Sequence, residues 1–185
     1  MKKTEVPIAL IISAFPGCGK SYCFNHYQDR FTMLDSDSSQ FSWVKDENGN
    51  NTKIRNPDFP ANYITHIKEN RDKADIIFVS THDVVCKALQ KANLFYYSVF
   101  PVNTPENKAE YLKRYIDRGS PKEFVDLMDK NWDSFLAGLE HNSYPIHLTL
   151  GQTVGPKYIT DKMLQRLIYA NLVERPIDEI LKIYV

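Results

Sequence analysis

Apolar runs that end in polar residues alternate along this chain with stretches of helical spacing. Residues 7–14, PIALIISA, are continuously apolar, the pattern of a central parallel strand covered on both faces. A second run, FTMLDSD at 31–37, ends in acids. A third, ADIIFVSTHD at 74–83, ends in hydroxyls and His82. A fourth, NLFYYSVFPV at 93–102, ends at proline, and a last short one, YPIHLTL at 144–150, precedes GQTVG. Between them, helical spacing runs from Lys20 towards Gln28, through Phe59, Tyr63 and Ile67, and through Val84, Val85, Ala88 and Leu89 after Asp83. From about Thr160, Met163, Leu164, Leu167 and Ile168 would dock a final helix on the sheet. Strand and helix in alternation predict an α/β domain with a largely parallel sheet.

Two segments interrupt the rhythm. In SWVKDENGNNTKIRNPDFP, Asn48-Gly49 lies between short β-prone runs, which predicts a hairpin or excursion within residues 38–74. Residues 104–140 begin TPENKAEYLKRY, where Thr104 suits a cap and Pro105 the first helical position, so a charge-rich helical insertion is expected.

Composition narrows the partners more than the fold. At 185 residues a single domain is expected, 1–185, and 43% hydrophobic with 12% aromatic residues is the make-up of a soluble globular protein. Lys+Arg and Asp+Glu both total 23, so no net field favours duplex nucleic acid or an anionic membrane surface. The first apolar run is too short to span a bilayer and leads into a glycine loop instead of a cleavage site. Cys18, Cys23 and Cys86 form no CxxC pair, and His26, His66, His141 and His147 share no ligand spacing. Neither a disulfide framework nor a zinc site is expected, and the cytosol is the expected compartment.

Ala14-Phe-Pro-Gly-Cys-Gly-Lys20-Ser21 changes the picture. It has the spacing of a phosphate loop, with alanine where the first glycine usually stands. Such a strand-to-helix turn directs backbone N–H groups into one concavity and adds the positive end of the helix. Gly17 and Gly19 allow the required backbone angles. Pro16, Gly17, Cys18, Gly19, Lys20, Ser21 and Tyr22 are therefore the candidate nucleotide-binding residues, with Lys20 reaching the terminal phosphates and the Ser21 hydroxyl a magnesium ligand.

Asp35 and Asp37 follow the second strand, where ligands gather in an open parallel sheet. We assign magnesium to Asp35 and proton acceptance from an attacking hydroxyl to Asp37; helix capping is the competing reading for both. Arg114 and Arg118, four apart on a predicted helix, suit a bidentate grip on phosphate oxygens and stabilisation of a transferring phosphoryl group. Glu110 and Asp117 beside them make a solvated, salt-bridged face the competing reading, and the lid reading is preferred because a phosphate loop needs one. Trp43, Arg55 and Tyr63 are candidates for stacking on a base or holding an acceptor phosphate, with core packing the alternative for the aromatics. His82 is a candidate acceptor-side residue or a helix cap.

On AFPGCGKS, LDSD and RYIDR the chain resembles the small P-loop kinases, in the branch of nucleoside monophosphate kinases, shikimate kinase and polynucleotide kinase. NPDFP, FVSTHDVV and KNWDSF make the overall pattern most similar to nucleotide kinases of phage or prophage origin. The resemblance implies a three-layer fold, a five-stranded parallel sheet in the order 2-3-1-4-5 with helices on both faces, a helical lid at 104–140, and an acceptor-side excursion at 38–74. It also implies ATP with magnesium as donor and a nucleotide as acceptor. A nucleoside or deoxynucleoside monophosphate kinase, monomeric or homodimeric, is thus expected. Polynucleotide or modified-base DNA kinases acting on a hydroxyl, and a nucleotide-binding hydrolase or switch, are the alternatives.

Overall fold

A computed structural model describes residues 8–151 and 155–173. Residue 7 of the first apolar run and residues 152–154 of GQTVG lie outside the described residues. The chain folds as β1 (Leu10–Ala14), α1 (Lys20–His26), β2 (Met33–Asp35), α2 (Ser39–Ser42), β3 (Trp43–Lys45), β4 (Asn51–Arg55), α3 (Ala61–Glu69), β5 (Ile76–Val79), α4 (Asp83–Lys91), β6 (Tyr97–Pro101), α5 (Pro105–Asp117), α6 (Lys122–Glu140), β7 (Ile146–Leu150) and α7 (Asp161–Val173).

Five strands pair in parallel in the order β2-β5-β1-β6-β7, with β1 central. The labels differ from the expected sequence because β3 and β4 lie outside this sheet. Without them the five strands, taken in chain order, run second, third, first, fourth, fifth. All five residues of β1 are buried, and they alternate between two cores as the period of a strand requires. Leu10, Ile12 and Ala14 enter one core with residues of α1, α5, α6 and α7, while Ala9 and Ile11 enter the other with residues of α3 and α4. Helices therefore cover both faces.

Because every strand is parallel, the loops after β1, β2, β5, β6 and β7 leave from the same edge, where ligands bind in open α/β sheets. The Asn48-Gly49 excursion is a two-stranded antiparallel hairpin, β3 with β4, and Trp43 pairs with Arg55 at its base. Asp46 holds the turn, accepting from the backbone N–H groups of Asn48 and Asn50 at 2.9 and 2.8 Å.

Segment 104–140 differs from the expected lid. Thr104 caps α5, accepting from the Asn107 N–H at 3.2 Å, and Pro105 opens the helix, as the sequence suggests. Tyr111, Tyr115, Trp132 and Leu136, however, are all at most 1% exposed and belong to the main core. Each such side chain contributes roughly 1.5–3 kcal/mol by burial. Swinging the whole segment away would forfeit that burial. No helix among the described residues is long and apolar enough to cross a membrane.

Candidate functional site

The edge carries a cleft of about 890 Å³, within the size range of small-molecule sites. On one side it is walled by the β1–α1 loop. Gly17 and Gly19 take φ of +85° and +102°, angles that glycine adopts without strain. Every carbonyl from Ala14 to Cys18 has a donor. Ala14 accepts from Lys20 Nζ, Phe15 from the Cys18 N–H, Pro16 from Tyr115 Oη at 2.8 Å, Gly17 from Arg114 Nη1 at 3.0 Å, and Cys18 from the Ile159 N–H at 2.9 Å. With its acceptors so engaged, the loop can offer donors. The N–H groups that open α1, at Lys20, Ser21 and Tyr22, have no acceptor within the helix, and the N-cap Gly19 supplies no side chain.

Lys20 lines the cleft, and burial holds its pKa below the ordinary lysine value, against the pull of Asp35 and Asp37; the charge of Arg118 acts in the same sense as burial. Asp35, at the carboxyl end of β2, is pushed up by burial, which outweighs the stabilising charge of Lys20. Asp35 at the end of β2 and Asp37 just beyond it line the cleft, and between them the buried Ser36 directs its Oγ to His66 Nε2 at 3.1 Å. Asp37 Oδ1 and Oδ2 accept from the N–H and Oγ of Ser39 at 2.9 and 2.8 Å. The helix-start role is thus real for Asp37, and it leaves further lone pairs on a carboxylate that lines the cleft.

Opposite stand Trp43 and Arg55, the guanidinium 4.0 Å from the ring centroid. His82 is the N-cap residue of α4 and makes no side-chain capping bond. Burial lowers its pKa, and the charge of Arg55 adds to the effect.

Cys18 is fully buried, its thiol against the Val99 carbonyl and Tyr111 Oη, and burial pushes it up to about 11; what it brings to the loop is its backbone. One candidate is corrected. Tyr63 is fully buried too. Its hydroxyl donates to the Ser36 carbonyl at 2.5 Å, so it fixes the acidic loop from behind and touches nothing in the cleft. The arginine pair also divides. Arg114 lies between Tyr111 and Tyr158, 4.2 and 3.9 Å from their centroids, and is bound to Glu110 and the carbonyls of Gly17 and Lys157, as a brace for the loop. Arg118 is exposed, leans on Tyr115 and Phe124, and donates only from Nε, to Ser120 Oγ at 2.7 Å. Its terminal nitrogens are the ones available to a ligand.

Ser80, Thr81, Phe124 and Tyr158 line the cleft as well and were not anticipated individually. The hydroxyl ending of the third apolar run was a signal for the first two. Tyr158 had none, since it sits in an irregular segment and reaches the loop only through the fold. Among the described residues no group of three or more His, Cys, Asp or Glu side chains is placed to hold a metal ion. Ser21 and Asp35 both line the cleft, and one or two protein ligands completed by phosphate and water is the usual magnesium arrangement. No family model and no curated protein matches this sequence.

Proposed function

We propose that the protein is an ATP-dependent phosphotransferase of the P-loop kinase type, acting on a nucleoside or deoxynucleoside monophosphate. The observation that carries the reading is convergence. A glycine loop with phosphate-loop spacing, Lys20, Asp35, Asp37, Arg118 and the Trp43–Arg55 pair, drawn from residues 14–118, line one cleft.

In this reading the loop N–H groups and Lys20 hold the phosphate tail, and Arg118 lies against the charge that develops on transfer. Magnesium, held by Ser21 and Asp35, would neutralise charge on the terminal phosphates. The acceptor oxygen bonds to the terminal phosphorus, the bridging P–O bond breaks and ADP leaves. Arg55 and His82 face the acceptor. The expected activity is ADP release that depends on one member of a panel of ribo- and deoxynucleotides, abolished in Lys20→Ala. Release that ignores every acceptor would establish a hydrolase or switch instead.

Asp37 favours a second reading. A nucleotide's phosphate has its second pKa near 6 and arrives without a proton at neutral pH, so it has little need of a base. A hydroxyl acceptor does need one. Transfer to nucleosides or to oligonucleotide ends, in the same panel, decides between a monophosphate kinase and a hydroxyl kinase.

A further inference from the structure

A second cavity, of about 700 Å³, opens between α4 and α6 and shares Pro16, Thr81, His82 and Phe124 with the cleft. Its floor is apolar, formed by Phe15, Cys86, Met128 and Leu139, all buried. Leu127 and Phe135, 50% and 39% exposed, stand at its mouth. Exposed apolar side chains around a concave apolar floor have the character of a ligand site more than of a solvated surface.

Thr81, His82, Asp83, Lys87, Gln90, Ser134, His141 and Asn142 supply the polar lining, and Ser134, His141 and Asn142 are already bonded within the protein, to the Asn131 carbonyl, the Ala137 carbonyl and Tyr96 Oη. Asp83 and Lys87 pair with each other at 2.7 Å. Gln90 contributes an amide, both donor and acceptor, the combination that reads the edge of a heterocycle. Gly138 adds an independent sign. It lies inside α6, where glycine is less favourable than alanine, and a Cβ there would meet nothing within 4 Å. The helix forgoes a side chain at a point where packing would tolerate one, and the effect is to widen the cavity.

We propose that this cavity receives the base of the acceptor. The inference rests on the phosphotransferase reading, which places the acceptor's reacting oxygen near Lys20 and Asp37; the wall that includes Thr81 and His82 then leads from that oxygen into the cavity. A planar, largely apolar ring with one polar edge matches an apolar floor with the Gln90 amide beside it, the other amide, Asn142, being bonded to Tyr96 Oη and the Tyr144 N–H. The hairpin is the competing location. There Trp43 lines the cleft but already carries Arg55 on its ring, and four of the five β4 residues are exposed, so the hairpin presents a base with less apolar surface than the floor of Phe15, Cys86, Met128 and Leu139 does.

The test uses the full chain and two variants that alter the cavity without removing a core contact. Gly138→Leu fills it, and Phe135→Arg places a charge at its mouth. Thymidine and deoxyadenosine 5′-monophosphates and their nucleosides are titrated by calorimetry, with and without the magnesium complex of ATP. At least a tenfold loss of affinity for the preferred probe in both variants is expected, with ATP affinity within twofold of the parent and the melting temperature kept. Unchanged probe affinity in both variants, a loss confined to Trp43→Ala, or no binding of any probe to the parent chain overturns the inference. The two readings fail separately. Transfer that proceeds with an unchanged acceptor KM in both variants leaves the kinase standing without this site. Binding that is lost in the variants, with no transfer in the parent, leaves the site standing without the kinase.

Discussion

On the β1–α1 side of the cleft, the carbonyls of Pro16, Gly17 and Cys18 are each bonded to another element, α5 twice and the segment before α7 once. On the hairpin side, β3 and β4 bond mainly to each other, their strands lie outside the large sheet, and most of β4 is exposed. The two walls face the same space, yet one is set by long-range core contacts and the other by a local turn. Preorganised donors are what stabilise developing charge, because they need not reorganise during reaction. In the proposed reading the braced wall is therefore where phosphoryl transfer would gain most from rigidity, and the hairpin wall lacks such braces.

The sharpest way to break this comparison lies within the arginine pair. Arg118→Ala removes a free guanidinium and should lower kcat by roughly three to five orders of magnitude, as loss of an arginine finger does, with little change in melting temperature. Arg114→Ala should act the other way round. It leaves the Gly17 and Lys157 carbonyls without their donor and costs about 1–3 kcal/mol of stability, seen first as a lower melting temperature. Equal kinetic losses with equal melting temperatures would show that the brace and the finger are not distinct.

The next effect sharpens the acceptor side. Asp37→Asn should cost roughly two to four orders of magnitude in kcat if the acceptor is a hydroxyl, and far less if it is a phosphate. In both cases the affinity for ATP should hold. An equal fall in ATP affinity, measured by calorimetry, would make Asp37 part of the donor site or a purely structural cap for α2 through Ser39.

The difference between the walls also explains what was legible in the sequence. The β1 run and the loop after it are contiguous, so apolar continuity and glycine spacing identified both. The polar ends of the apolar runs identified Asp35, Asp37 and His82, because parallel strands bring their carboxyl ends to one edge. Tyr63 was misplaced because a position in the sequence does not say which way a side chain turns. Tyr63 continues the apolar stripe of Phe59 and Ile67, and that spacing in fact reports burial. Helices α5 and α6 were read as a lid because Tyr111, Tyr115 and Trp132 are embedded among lysines, arginines and acids. Helical period four places the aromatics on one inward stripe while the charge stays on the other face. Tyr158 could not be read at all, since its contact with Arg114 joins residues 44 apart in the sequence.

The smallest effect compares one substitution on the two walls. Gly17 and Gly49 have nearly the same backbone angle, φ of +85° and +80°, so alanine at either meets the same intrinsic penalty of about 1–2 kcal/mol. What differs is the space around them. At Gly49 a Cβ would meet nothing within 4 Å, and only the intrinsic penalty applies. At Gly17 it would lie 3.1 Å from both Tyr111 Cδ1 and Tyr115 Cε1, rings fixed in the core and bound in turn to the loop and to Trp132. Those rings cannot yield freely, and overpacking of this kind adds about 1–3 kcal/mol. Gly17→Ala should therefore lower the melting temperature roughly one and a half to four times as far as Gly49→Ala, and only Gly17→Ala should weaken ATP binding. Equal shifts in a thermal melt would mean that the tyrosines give way, and that the loop wall is no stiffer than the hairpin.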